Sequence, residues 1–172
     1  EPEPEPGADE GGEEPEEEVD EEAEAKLPAE ERLRRAAARL PKPIRADVAE
    51  LIRAAESQLA GGPIDMTIPP SQINKLATGY SGMIEGVRLT RGIINVETTF
   101  GTAQLTPGID NDDRLFAQVK GLGPLNAKVA RAFESTLKTV AEALEARGQR
   151  IAGISIEPEG ITLQTEAIPP PD

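Results

Sequence analysis

The sequence predicts an α+β fold in which a strongly curved antiparallel sheet wraps around a long helix. Between residues 63 and 168, short segments alternate apolar and polar residues, which is typical of strands with one buried face. A hairpin-like pattern occurs twice there, as GVRLTRGIINVET from Gly86 and as GISIEPEGITLQT from Gly153. One apolar stripe at helical spacing predicts the long helix, and it consists of Val129, Phe133, Leu137, Val140 and Leu144.

The chain begins with an acidic tail that is rich in Glu and Pro. Residues 1–25 hold 14 acidic and no basic residues, so they account for the whole net charge of −14. Because such a segment cannot bury enough apolar surface to offset the entropy lost on ordering, we expect residues 1–26 to be disordered. We interpret the tail as a spacer, and binding of a basic protein partner is the alternative.

A helical segment is predicted over residues 27–62. It is interrupted at Pro41 and Pro43, because proline lacks the backbone donor and clashes with the preceding turn. Seven basic and two acidic residues lie between Lys26 and Arg45, without aromatic residues, so nucleic acid is not an expected partner. We interpret the charges as a solvated helix face. Contact with anionic lipid headgroups at a membrane surface is the alternative, through Arg32, Arg34, Arg35 and Arg39.

Residues 63–168 are predicted to form the sheet and the long helix from two repeats, 63–100 and 115–168. Each repeat consists of a strand, a helix and a hairpin. In the second repeat, Pro124 suits the first turn of the long helix and Gly148 suits its end. We interpret this pattern as an internal duplication in which the second helix is longer.

The composition argues against an enzyme. The chain has no Cys and no His, which removes thiol nucleophiles, cysteine metal sites and the usual general base at neutral pH. Serine-hydrolase, phosphate-loop and paired dinucleotide motifs are absent. Asp110, Asp112 and Asp113 resemble a calcium loop but lack its glycine and its distal glutamate, so we interpret them as a turn. We therefore expect no catalysis, no metal and no cofactor.

Four segments resemble the tubular lipid-binding superfamily: IDMTIPPSQINKL, IEGVRLTRGIINVET, LFAQVKGLGPLNAKVARAFESTL and IAGISIEPEGITLQTEAI. That superfamily includes the synaptotagmin-like mitochondrial and bactericidal permeability-increasing-like domains and small bacterial cell-envelope relatives. The resemblance covers residues 63–168 and implies a lipid held between a long helix and a bent sheet. It also implies a bacterial cell-envelope location, extracytoplasmic or membrane-tethered. Since the chain starts at Glu1 in low-complexity sequence, we expect a signal peptide or membrane anchor before it.

The sequence is compatible with two functions. The first is a non-enzymatic lipid-binding module of the cell envelope, holding an acyl chain or a phospholipid between helix and sheet. The alternative is a structural or protein-interaction module with a filled core, tethered by the acidic spacer. The predicted core is aliphatic, with three Phe and one Tyr in the chain, so a gap between helix and sheet would be an apolar groove. The candidate lining residues are Ile68, Leu76, Val87, Leu89, Ile94, Val96, Val129, Phe133, Leu137, Val140, Ile154, Ile156, Ile161 and Leu163.

Overall fold

A computed structural model describes residues 23–24, 26–59, 62–111 and 114–169, and it confirms the α+β class. The helices are α1 (Ala29–Ala38), α2 (Lys42–Gln58), α3 (Pro70–Tyr80) and α4 (Asn126–Glu145), the last preceded by a 3-10 turn at Gly123–Leu125. The strands are β1 (Asp65–Ile68), β2 (Ile84–Thr90), β3 (Ile93–Thr98), β4 (Gly101–Ile109), β5 (Leu115–Lys120), β6 (Gln149–Glu157) and β7 (Gly160–Ala167). Most of the tail that the sequence predicts to be disordered, namely residues 1–22 and 25, lies outside the described residues.

The strands form two antiparallel sheets, where the sequence led us to expect one curved sheet. One sheet has the order β1–β7–β6 and the other has the order β2–β3–β4–β5. The amide of Gly92, in the β2–β3 turn, donates a hydrogen bond to the carbonyl of Ile156 in β6 (2.9 Å). Strand β6 also contacts β2, β3 and β4. The two sheets therefore meet at a corner, and the strand ladder does not continue from one to the other.

The two hairpins, β2–β3 and β6–β7, are paired in the same way. Each has an irregularity in its first strand, between Ile84 and Gly86 in one and between Ile151 and Gly153 in the other. Position by position, 67 residues separate the cross-strand pairs Ile84–Thr98, Val87–Val96 and Leu89–Ile94 from the pairs Ile151–Thr165, Ile154–Leu163 and Ile156–Ile161. The same inward-facing positions are therefore available to the core in both hairpins.

Helix α4 packs against strands of both sheets and against two other helices. Val129, Leu137, Val140 and Leu144 of its apolar stripe are buried, whereas Phe133 is only half-buried. The helix contacts β4, β5 and β6, and it also contacts α1 and α2. Since strands of both sheets and two helices cover it, α4 contributes to one continuous apolar core.

Helices α1 and α2 are separated at the prolines that the sequence indicates. Pro41 is the N-cap of α2 and Pro43 lies in its first turn, where a backbone donor is not needed. Helix α2 therefore begins at Lys42, between the two prolines. Its Ile44 lies so close to α3 that a Cβ on Gly79 would stand 2.7 Å from the Ile44 side chain. Helix α2 is thus packed closely on α3 as well as on α4.

Candidate functional site

An apolar pocket lies between α3, the first half of α4 and the inner face of the sheets. Its cavity volume is about 90 Å³. A single water molecule needs a cavity volume of about 10–15 Å³, so the space is several times the volume that one water molecule requires. The described lining residues are Leu51, Ile68, Ile73, Leu76, Ala77, Tyr80, Ile84, Val87, Ile94, Val96, Leu105, Val129, Ala132, Phe133, Thr136, Leu137 and Ile161.

The polar groups of these lining side chains already have partners. Two of the side chains carry a polar atom, and none of them is charged. The hydroxyl of Tyr80 shares a hydrogen bond with Ser135 Oγ (2.9 Å). Thr136 Oγ1 donates to the carbonyl of Ala132 one turn earlier on α4 (2.8 Å). The described lining therefore matches hydrocarbon, and it offers no unsatisfied side-chain group to a buried polar headgroup.

The pocket opens between α3, β2 and α4. The lining residues that remain partly exposed are Ala77, Tyr80, Val87, Ala132 and Phe133, which lie on these three elements. At the other end of the pocket, Ile68, Leu105 and Ile161 are buried. A ligand would therefore enter beside Phe133 and Tyr80 and extend towards the junction of the two sheets.

The structure brings nine of the predicted lining residues together at this pocket. They come from the two sheets, from α3 and from α4, and they are Ile68, Leu76, Val87, Ile94, Val96, Val129, Phe133, Leu137 and Ile161. Their convergence follows from alternation in the strands and from the helical stripe, since both patterns identify the face that turns inward.

The other five predicted residues do not line the pocket, and they are Leu89, Val140, Ile154, Ile156 and Leu163. Ile154 is half-buried, and the other four are buried in the core. Three of the five belong to the β6–β7 hairpin, and α4 contacts β6. These side chains therefore belong to the packing around the α4–β6 contact and do not border the pocket.

Eight lining residues were not predicted: Leu51, Ile73, Ala77, Tyr80, Ile84, Leu105, Ala132 and Thr136. The spacing of Ile73, Ala77 and Tyr80 on α3 continues the helical stripe of Leu76, and that signal could have identified them. Ala132 and Thr136 likewise flank the stripe of α4. No sequence signal indicates that Leu51 of α2 reaches the pocket, because this depends on how α2 packs against α3.

The arginines considered for membrane contact are engaged within the protein. Arg32 Nε donates to Glu142 (2.8 Å) of α4, and its guanidinium also pairs with Glu145. The side chain of Arg32 is only 18% exposed, so it joins α1 to α4. Arg34 and Arg35 are exposed, and both pair with Glu31 on the same helix. Helix α1 is therefore not a uniformly basic surface.

Glu24 is a buried carboxylate at the end of the predicted acidic tail. It pairs with Arg39 (2.5 Å), and Lys138 of α4 lies 3.6 Å away. The hydrogen bond from Arg39 lowers the pKa of Glu24 below its usual value, while burial opposes this shift less strongly. Glu24 is thus joined by ion pairs to Arg39, directly after α1, and to Lys138 of α4.

Other classes of site find no support in the described residues. No group of three or more Asp, Glu, His or Cys residues there could hold a metal ion. Asp110 accepts a hydrogen bond from the amide of Arg114 (3.0 Å), and Asp112 and Asp113 lie outside the described residues. None of the described helices combines the length and the apolar character that crossing a membrane requires.

No protein-family model, no curated protein and no solved structure matches this chain significantly. The resemblance to the tubular lipid-binding superfamily therefore stays a prediction from the sequence. The lipid-binding function, the expected absence of catalysis and the expected partners also stay predictions.

Proposed function

We propose that this chain is a non-enzymatic module that binds the hydrocarbon part of a fatty acid or lipid in the pocket. The observation that carries the proposal is the half-open, uncharged lining in which Tyr80 and Thr136 already have hydrogen-bond partners. Such a lining favours methylene groups and penalises a buried charge or an unpaired polar group. The ligand's polar headgroup would accordingly remain outside, beyond Phe133.

The cavity volume limits how much of a lipid enters. An engineered cavity of about 150 Å³ holds one benzene molecule, so about 90 Å³ accommodates only a short stretch of chain. Each buried methylene contributes about 0.8 kcal/mol. Deeper entry requires displacement at the mouth, where Tyr80 and Phe133 are half-buried. We therefore propose the end of one acyl chain as the ligand, in place of a phospholipid enclosed with both chains.

We further propose that the two strand–helix–hairpin repeats arose by duplication and together curve around α4. The shared pairing register of the two hairpins supports the duplication. Contacts of α4 with strands of both sheets support the wrapped arrangement. A bacterial cell-envelope location and a disordered acidic spacer belong to the same proposal, and they rest on the sequence alone.

The alternative function is a structural or protein-interaction module. It is favoured by the small volume of the cavity and by the continuity of the core from α1 and α2 to both sheets. In that case the pocket is an empty packing defect, and the protein neither copurifies with lipid nor accepts it.

Binding of a fluorescent fatty acid by the full chain tests the proposal. Ala132→Leu places a larger apolar side chain in the pocket, and Ala127→Leu makes the same change at an exposed position on α4. We expect Ala132→Leu to weaken probe binding at least tenfold and to retain or raise the melting temperature, since it fills empty space. The Ala127→Leu variant should bind like the unmodified protein.

Two results would contradict the proposal. One is a full chain that does not bind the probe at any concentration below its solubility limit. The other is equal binding by the Ala132→Leu and Ala127→Leu variants, which would place the probe elsewhere on the surface. Circular dichroism and thermal unfolding of both variants establish that they are folded.

A further inference from the structure

The β3–β4 turn exposes a large aromatic side chain. Phe100 is 66% exposed, and among the described residues the other exposed large apolar side chain is Ile168, at 36%. The turn residues Thr99 and Phe100, which we call the tip, connect β3 to β4 at one end of the four-stranded sheet. Single exposed apolar residues are common, so exposure alone does not indicate a function.

Both backbone amides of the tip have partners within the protein. The amide of Phe100 donates to Thr98 Oγ1 (3.0 Å), and the amide of Thr99 donates to the carbonyl of Met83 (3.0 Å). Thr98 Oγ1 in turn donates to the carbonyl of Gly101 (2.8 Å). Water normally satisfies the backbone groups of an exposed turn, and their transfer out of water is costly without a replacement. Here the protein itself supplies the partners of both tip amides.

Apolar and basic residues surround the base of the tip. The Leu122 side chain lies beside the turn, 3.3 Å from where a Cβ on Gly101 would stand. Leu122 and Met83 are both half-buried, and Lys120 of the neighbouring strand β5 is exposed. Two half-buried apolar side chains therefore lie near the tip, and the neighbouring strand β5 ends in an exposed cation.

The shape of this surface favours a lipid bilayer over a protein partner. A stable protein interface buries roughly 800 Å² on each side. One phenylalanine contributes about 150–250 Å², and the described surface offers no second large exposed apolar side chain beside it. A bilayer, in contrast, accepts a single protruding side chain, because lipid molecules rearrange around it.

We propose that the tip inserts Phe100 into the surface of a lipid bilayer. The tip lies close to the pocket-lining helix, since Leu122, beside the turn, donates its amide hydrogen bond to Oδ1 of Asn126, the first residue of α4 (2.9 Å). Insertion would hold the start of α4 close to the membrane. The proposal depends on the tip alone, and it stands whether or not the pocket takes a ligand.

Tryptophan fluorescence provides the test, because the chain contains no Trp. Phe100→Trp introduces a single reporter at the tip, and Ile168→Trp provides the matched control. The amide of Ile168 donates a hydrogen bond to the carbonyl of Gly148, which lies just after the C-terminal end of α4. The tip lies near the other end of this helix, whose 20 residues span about 30 Å. Both full-length variants are mixed with vesicles of phosphatidylcholine at physiological salt. This lipid has no net charge, whereas an anionic lipid would repel the 14 acidic residues of the tail.

The Phe100→Trp emission should shift to shorter wavelength on adding vesicles and should be quenched by lipids brominated in the acyl chain. The Ile168→Trp emission should not change. In cosedimentation, Phe100→Asp should lower the vesicle partition coefficient about tenfold or more relative to the unmodified chain, with an unchanged melting temperature.

Three outcomes would overturn the proposal: no spectral change at position 100, equal quenching at positions 100 and 168, or an unaltered partition coefficient for Phe100→Asp. A shift that grows with protein concentration in the absence of vesicles would also overturn it. That last result would assign the tip to contact between two copies of the chain.

Discussion

The β2–β3 and β6–β7 hairpins have the same pairing register but contribute differently to the pocket. The first supplies Ile84, Val87, Ile94 and Val96, whereas the second supplies only Ile161. Helix α3 packs on β2, while α4 packs on β6. The strand pattern is therefore insufficient to make a site. The pocket lies where the 11-residue α3 and the first half of α4 face the first hairpin. Along the second hairpin only Ile161 borders it.

The outer edges of the hairpins differ as well. Strand β1 pairs with β7, and strand β4 pairs with β3. The β1 contact is close at the start of β7, because a Cβ on Gly160 would stand 2.3 Å from the carbonyl oxygen of Ile68. A Cβ on Gly92, in the turn of the first hairpin, would have no neighbouring atom within 4 Å. Gly160 therefore leaves no room for a side chain, whereas Gly92 does.

The largest expected effect comes from the glycines of the two turns. Gly160→Ala should lower the free energy of unfolding by about 4 kcal/mol or more, because β1 must separate from β7. Gly92→Ala should lower it by about 1–2 kcal/mol, since its positive φ of 79° is unfavourable for alanine but its surroundings are open. Urea denaturation of both variants measures the difference. Equal losses would show that the two turns are equally constrained.

A matched pair of isoleucines separates the pocket from the core. Ile84 and Ile151 occupy equivalent positions in the two hairpins and are 6% and 5% exposed, but only Ile84 lines the pocket. Truncation of either to alanine should lower the free energy of unfolding by about 2–3 kcal/mol. Ile84→Ala should also shift the preferred fatty acid towards longer chains, because it enlarges the cavity. Ile151→Ala should leave the chain-length preference unchanged, and an identical shift in both variants would contradict the assignment of the pocket.

The smallest expected effect concerns Glu24, which pairs with Arg39 and with Lys138 of α4. Because the pKa of Glu24 is lowered in the folded state, the ionised form stabilises the fold above the usual pKa near 4.5. That stabilisation is lost as the pH falls through the lowered pKa. Glu24→Gln should therefore reduce the loss of stability between about pH 5 and pH 3, whereas Glu30→Gln, at an exposed position, should retain it. Thermal unfolding of both variants across this pH range measures the effect. Parallel dependences of the melting temperature on pH would contradict the role of Glu24.

Periodicity predicted the elements better than their assembly. Alternation and the stripe of α4 identified Val87, Val96, Val129 and Leu137, because inward-facing positions follow from local geometry. The division into two sheets was not predicted, since it depends on which strands pair, and the β1–β7 pairing joins residues as distant in sequence as Asp65 and Gln164.

Predicting the pocket itself requires tertiary information. Val96 and Leu163 are both inward-facing and equivalent in register, yet one borders a cavity and the other is fully buried. The sequence contains the same alternation at both positions. Only the separation between each hairpin and its covering helix distinguishes them, and that separation depends on packing with α2 and α3.

Native mass spectrometry of the full chain after gentle purification, with extraction and identification of any lipid, tests the lipid-binding proposal most directly. The pocket geometry predicts one hydrocarbon-bearing ligand per chain, or uptake of one added fatty acid, and loss of that ligand in Ala132→Leu. A chain that is free of lipid and also refuses fatty acid would contradict the proposal, and the pocket would then be a packing defect in a structural module.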